Sequence, residues 1–224
     1  MEMIFFDLDN TLFNHSEAER KGAIAFAKAM NLFKQGDKNQ FSQLWHQASE
    51  KYMNKFLAGE ISFQEQRKFR LEEIIGRPLE EEEFESLFQI YLTAYQENWH
   101  LFPDTIPALN QLKPIRLGII TNGNRQQQHR KLEITGILNK FSLIIVSEDI
   151  GSSKPDPGIF IQACFQAGLP CSECMYIGDQ LETDARAATI AGLRGIWLNR
   201  ANNVSTPGDI EMINSLIDIP IKDT

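Results

Sequence analysis

The hydrophobic pattern of this chain changes period twice. Residues 3–6 form a continuous apolar run that stops at two acids, Asp7 and Asp9. From about residue 100 onward, short apolar runs recur at 115–120, 143–146, 175–177 and 195–198, separated by segments of helical composition. Runs that are apolar at consecutive positions predict strands buried on both faces of a parallel sheet. The segments between them, at about 125–134, at about 158–167 and from after Gly178-Asp179 through about 190, predict the helices of right-handed crossovers. The implied core is α/β, a doubly wound, Rossmann-like parallel sheet.

Between residues 14 and 98 the pattern is different. This stretch is rich in Ala, Glu, Gln, Lys, Leu and Phe, and its apolar residues fall at helical spacing, among them Phe56, Phe63, Phe69 and Ile74. Ser62 followed three residues later by Glu65 reads as a capping box that opens a helix. Gly76-Arg77-Pro78 ends that helix, and the acidic run 80–83 suits the first turn of the next. No strand is predicted here. The organisation expected is an α/β core of 1–14 plus 100–224, with an all-helical domain of 15–99 inserted after the first strand.

Composition narrows the classes of function. The chain has 224 residues, 42% of them hydrophobic, enough for one sizeable core and a small second domain. Acidic residues outnumber basic ones by 30 to 22, for a formal charge of -8, and no basic stripe appears. A nucleic acid polymer is therefore not an expected partner. The apolar stretches are of strand length, so no membrane partner is expected. No basic region and apolar signal core precede the first strand, which makes cytoplasmic the expected location. Cys171 and Cys174 have CxxC spacing, but no second pair completes a tetrahedral zinc site, so these and Cys164 read as structural thiols. His15, His46, His100 and His129 show no metal-ligand spacing.

The candidate chemistry collects where strands end. Asp7 and Asp9 lie two residues apart, which in an extended strand places them on one face, roughly 6.5 to 7 Å apart. Charge in apolar surroundings is costly unless something compensates it, and a metal ion would do so. The second strand runs into Thr121-Asn122-Gly123, offering a hydroxyl and backbone N–H groups to an anion. The third is followed by Lys154 in the Pro-stiffened loop 151–157. The fourth ends in Gly178-Asp179, with Asp184 six residues past the glycine. In a parallel sheet these four loops share one edge, which is where such sheets bind ligands.

Taken together, Asp7-Leu-Asp9-Asn-Thr11, Thr121-Asn-Gly123, Lys154-Pro-Asp-Pro and Gly178-Asp179 with Asp184 resemble the haloacid dehalogenase-like hydrolases. The stretch from Thr121 to Phe160 is most similar to the phosphatase branch that includes pyrimidine nucleotidases and acylneuraminate phosphatases. The resemblance implies an aspartyl-phosphate enzyme. Asp7 would be the nucleophile and Asp9 the general acid and base, with Thr121 and Lys154 completing the catalytic set. Thr121, Asn122, Gly123 and Lys154 would bind the phosphoryl group. Mg2+ would be held by Asp7, the backbone carbonyl of Asp9, and Asp179, while Asp184 would orient a water or Lys154 without ligating the metal directly. Members that act as dehalogenases lack an acid at the position of Asp9, so its presence favours phosphate esters.

The expected substrate is a small phosphorylated metabolite, such as a nucleoside 5'-monophosphate or a sugar phosphate. The same residues would serve a phosphomutase, and the fold could also carry an idle binding module. The helical insert would act as a lid hinged near Phe13-Asn14 and at 99–103, with Asn14, His15, Arg20 and Lys21 as candidates to face the substrate. Monomer and homodimer are both compatible with the pattern.

Overall fold

A computed structural model describes residues 1–32, 38–201 and 208–221. The chain divides into two compact units, Met1–Asn14 with Leu101–Thr224, and His15–His100.

The first unit is built on a six-stranded sheet: β1 (Met3–Phe6), β2 (Arg116–Thr121), β3 (Leu143–Val146), β4 (Cys174–Gly178), β5 (Arg194–Leu198) and β6 (Glu211–Ile213). Their spatial order is β3-β2-β1-β4-β5-β6, and every pairing is parallel. The chain therefore builds outward from β1 on one side, crosses over, and builds outward from β4 on the other. β1 and β4 flank the point where the winding reverses, the crevice at which open α/β sheets bind ligands. Register sharpens this placement. Phe6 pairs with Ile119 of β2 and Ile177 of β4, so the loops after all three strands open at one level.

The consecutive apolar reading of β1 has its reason in this central position. Met3, Ile4, Phe5 and Phe6 are all buried, because both faces of the strand are covered. Met3 and Phe5 pack into one cluster with Ile120, Ile145, Phe160, Ala163 and Tyr176. Cys164 and Cys174 sit in the same cluster, with Cys171 packed against it, and all three are free thiols. Cys174 is the first residue of β4, one position before the apolar run 175–177. β6 was not anticipated; at three residues, only Ile213 of which is buried, it gives almost no apolar run to read.

Helices α1 (His15–Ala29), α2 (Lys38–Leu57), α3 (Phe63–Ile75) and α4 (Glu81–Glu97) make up the second unit. The capping box at Ser62 and Glu65 is formed in both directions, and Gly76 closes α3 in the left-handed conformation at φ 82°. The buried face of α3 differs from the apolar pattern. Phe63, Phe69 and Ile74 stay partly exposed, while Gln66, Arg70 and Leu71 are buried. Aromatic rings explain how an arginine is tolerated inside. The Arg70 guanidinium lies 5.3 Å from the Trp45 ring and 5.1 Å from Tyr91, and donates to Ser49 Oγ at 2.6 Å. Glu19 of α1 is also buried and lies 2.8 Å from the His46 ring. Burial pushes the Glu19 carboxyl up, but its bond to His46 and the nearby His15 outweigh this and bring it down to about 2.

The remaining helices of the first unit are α5 (Thr105–Gln111), α6 (Arg125–Ile134), α7 (Ser147–Ile150), α8 (Pro157–Ala167) and α9 (Ala187–Ile190). Leu181–Arg186, just before α9, is wound as a wider π-type turn. Among the described residues, no helix is long and apolar enough to cross a membrane.

Candidate active site

Every loop that follows β1 to β4 brings a polar side chain to the switch-point crevice. Asp7 extends β1 by one residue, its N–H donating to Ile177 O of β4 at 2.9 Å. The chain then turns back through Asn10 at φ 62°, a left-handed conformation that asparagine adopts more readily than most residues. This turn closes with Leu12 and Phe13 N–H on Leu8 O, and it aims Thr11 toward β4. There the Thr11 hydroxyl accepts from the N–H of Asp179 at 3.1 Å.

Lys154 lies at the centre. Its ammonium donates to Asp7 Oδ1 at 2.6 Å, Asp184 Oδ1 at 2.7 Å and the Tyr176 hydroxyl at 2.8 Å. The side chains of Lys154, Asp7 and Asp184 are respectively 4%, 7% and 1% exposed, so this is a buried charge cluster. Burial alone would push Lys154 down, but Asp184 and Asp7 hold it above its usual range. Tyr176 stands within 3.0 Å of Ile120 O and 3.1 Å of Asp184 Oδ1, so β4 braces the lysine from below. Asn122 fixes the other end of Lys154. Its side-chain amide donates to Lys154 O and accepts from Lys154 N, each at 2.9 Å.

Asp184 reaches the cluster because residue 178 is glycine. A Cβ on Gly178 would overlap the Asp184 carboxylate carbon, at a separation real atoms do not adopt. Asp184 Oδ2 accepts from Gln180 N at 2.9 Å, so both of its oxygens are engaged. One carboxylate oxygen from each of Asp7, Asp179 and Asp184 lies within 4.8 Å of the others. Three acids crowd one ammonium there, and their electrostatics record it. Burial pushes Asp7 well up; Lys154 opposes this, and Asp184 and Asp179 add to it. Asp179 is pushed up to about 7 by burial and then by Asp184. Such a surplus of oxygen donors, two of them buried and with no sulfur or imidazole among them, suits a hard divalent cation.

Asp9 faces away from this cluster. Its carboxylate accepts from Lys131 Nζ at 2.6 and 2.8 Å and from Gln128 Nε2 at 3.0 Å. The same Gln128 amide donates to the Thr121 hydroxyl at 2.8 Å. Thr121, expected to face an anion, is buried at the end of β2. The Gly123 N–H donates to Ser147 Oγ at 3.0 Å. Asp7, Asp179, Asp184 and Lys154 are thus brought together, and Asp9 and Thr121 form a second group joined through α6.

Sequence reasoning missed Tyr176, Gln128 and Lys131. Tyr176 lies inside an apolar strand, where it counts as core. Gln128 and Lys131 lie in a helix that reads as polar throughout. The available signal was Leu132, which with Gln128 and Lys131 makes up the buried set of α6 at spacings of three and four.

The chain resembles known proteins in sequence and in fold. N-acylneuraminate-9-phosphatase of Rattus norvegicus is 29% identical over 231 residues, covering 97% of this chain and 91% of the relative. Pyrimidine 5'-nucleotidase YjjG of Escherichia coli is 36% identical over 115 residues, 50% of this chain and 51% of its own. The fold matches a crystal structure of the HAD-hydrolase YfnB from Bacillus subtilis, solved bound to magnesium, with a TM-score of 0.75 at 24% identity, covering 96% and 95% of the two chains. Residues 1–192 match the family model of the haloacid dehalogenase-like hydrolases, and the chain belongs to that family.

Proposed function

We propose that this protein is a Mg2+-dependent phosphatase that hydrolyses a small phosphomonoester through an aspartyl-phosphate on Asp7. One observation carries the reading. Asp7 is held between a buried lysine and a crowded set of acids, at the mouth of the switch-point crevice. A carboxylate so placed can attack an anionic phosphorus only where positive charge gathers opposite it. The similarity to relatives named as phosphatases of small metabolites supports the same class of substrate.

Mg2+ would be held by Asp7, Asp179 and the backbone carbonyl of Asp9. When bound, it neutralises phosphoryl charge and aligns the phosphorus with the nucleophile. Lys154 orients the attacking oxygen of Asp7 and offsets charge on the phosphoryl group. Asp184 and Tyr176 keep the ammonium aimed there. The Thr121 hydroxyl and the Asn122 N–H donate to phosphoryl oxygens. As Asp7 forms its bond to phosphorus the ester bond breaks, and Asp9, which takes up a proton from solvent when the substrate binds, gives that proton to the leaving alkoxide. In the second half, Asp9 takes a proton from water, the water oxygen attacks phosphorus, and the bond to Asp7 breaks to release phosphate.

Turnover of p-nitrophenyl phosphate with Mg2+ tests the chemistry, and a screen of nucleotides, sugar phosphates and sugar-acid phosphates tests the substrate class. Wild type should release inorganic phosphate, and Asp7→Asn should neither turn over nor form a phosphoenzyme. Activity that survives excess EDTA would remove the metal from this account.

A further inference from the structure

Two carboxylates two residues apart each have their own lysine, and only the pair at Asp7 is absorbed by the chemistry above. The other pair stands on α6. Lys131 is buried, its side chain 1% exposed, and its ammonium makes two bonds to the partly exposed carboxylate of Asp9. Gln128, one turn earlier and 1% exposed, adds a bond to Asp9 Oδ2 from an amide that also reaches Thr121 Oγ1 and Asn122 O. Taking an ammonium out of water is costly, and an apolar side chain would fill this face of α6 at less expense. A charge kept there against that cost calls for a role.

We propose that Gln128 and Lys131 are positioning residues for Asp9. They fix its carboxylate on the β2 side of the crevice, beside Thr121, where the ester oxygen of a bound phosphomonoester leaves and where water later attacks. The proposal rests on the reading of Asp9 as the proton-transfer group. Its geometry is specific. Three bonds from two buried side chains converge on one carboxylate, and one amide ties that carboxylate to the Thr121 hydroxyl, which hydrogen-bonds the phosphoryl group in this reading. The acid and the anion site therefore keep a fixed spacing, set by a rigid helix. Proton transfer in the transition state depends on such spacing, and a misplacement on the order of 1 Å can cost roughly 100-fold.

The test uses kcat/KM, which reports phosphoenzyme formation, with two probes. β-Glycerol phosphate has an alkoxide leaving group that needs a proton. p-Nitrophenyl phosphate does not. Lys131→Met should lower kcat/KM for glycerol phosphate by about 10- to 100-fold and leave that for p-nitrophenyl phosphate within a few-fold. Lys131→Arg should recover part of the loss. In an Asp9→Asn background, Lys131→Met should cost nothing further. Lys131→Gln, which removes the charge but keeps a polar end, should show the same selective pattern and serves where Lys131→Met does not fold. Equal losses on both probes, or an undiminished loss in the Asp9→Asn background, would overturn the positioning role. Near-full turnover of glycerol phosphate by Asp9→Asn alone has a different meaning: the assignment of Asp9 fails, and the role of α6 goes with it.

Discussion

Replacing Lys154 with methionine probes the centre of the site. The substitution keeps the volume and removes the cation that lies 2.6 Å from Asp7 and 2.7 Å from Asp184. Both carboxylates are then buried without their shared partner. Breaking a buried pair on one side typically costs about 3–5 kcal/mol, most of it from the charge left behind. Lys154 is held above its ordinary range, so its contribution is fully present at any pH below about 10.5 and is lost only as pH rises through the folded value. The loss in the variant is nonetheless pH-dependent, because of the acids. Asp7 already titrates well above the ordinary carboxylate range, and without the lysine it will take a proton still more readily. The cost should therefore be largest at pH 8 and shrink toward pH 5. Urea denaturation of metal-free protein at both pH values, followed by circular dichroism, measures it. A loss below about 1 kcal/mol at pH 8, or one equal at the two pH values, would refute a strained, compensated charge cluster.

Other expectations follow from the same geometry. Asp179 is raised to about 7, so its contribution to metal-free stability is present below the ordinary carboxylate value and lost as pH rises through about 7. Added Mg2+ should accordingly raise Tm more at pH 8 than at pH 6, and an equal rise at both would count against Asp179 as a ligand. Gly178→Ala must displace Asp184 and should cost about 1–3 kcal/mol together with activity, read by calorimetry and turnover. An alanine variant with native Tm and rate would show that the packing of Asp184 on Gly178 does not matter. Glu19 is lowered to about 2, so the stability it contributes is present above the ordinary value near 4.5 and is lost as pH falls through about 2. Glu19→Gln should be less stable than wild type at pH 7 by about 1–3 kcal/mol, and thermal melts should show that gap closing in strong acid.

Much of this was legible along the chain because it depends on neighbours in sequence. Burial on both faces forces β1 to be apolar at every position, and that run, with those of β2 to β4, reveals a parallel sheet. Parallel strands share a carboxyl edge, so Asp7, Thr121, Lys154 and Asp179 had to emerge on the same side. Local capping chemistry likewise reveals the start of α3 at Ser62 and its end at Gly76. The rest belongs to contacts between distant segments. β6 is too short and too little buried to leave a pattern. Arg70 is held inside the helical unit by rings from α2 and α4 that no spacing in α3 encodes, so Phe63 and Phe69 looked like the core face instead. Lys131 meets Asp9 across 122 residues of chain, and Tyr176 meets Lys154 across 22. The sequence determined which groups gather at the edge of the sheet. Only tertiary packing decided which lysine serves which carboxylate, because an ammonium stripped of water pairs with a carboxylate within reach, and folding alone sets which one that is.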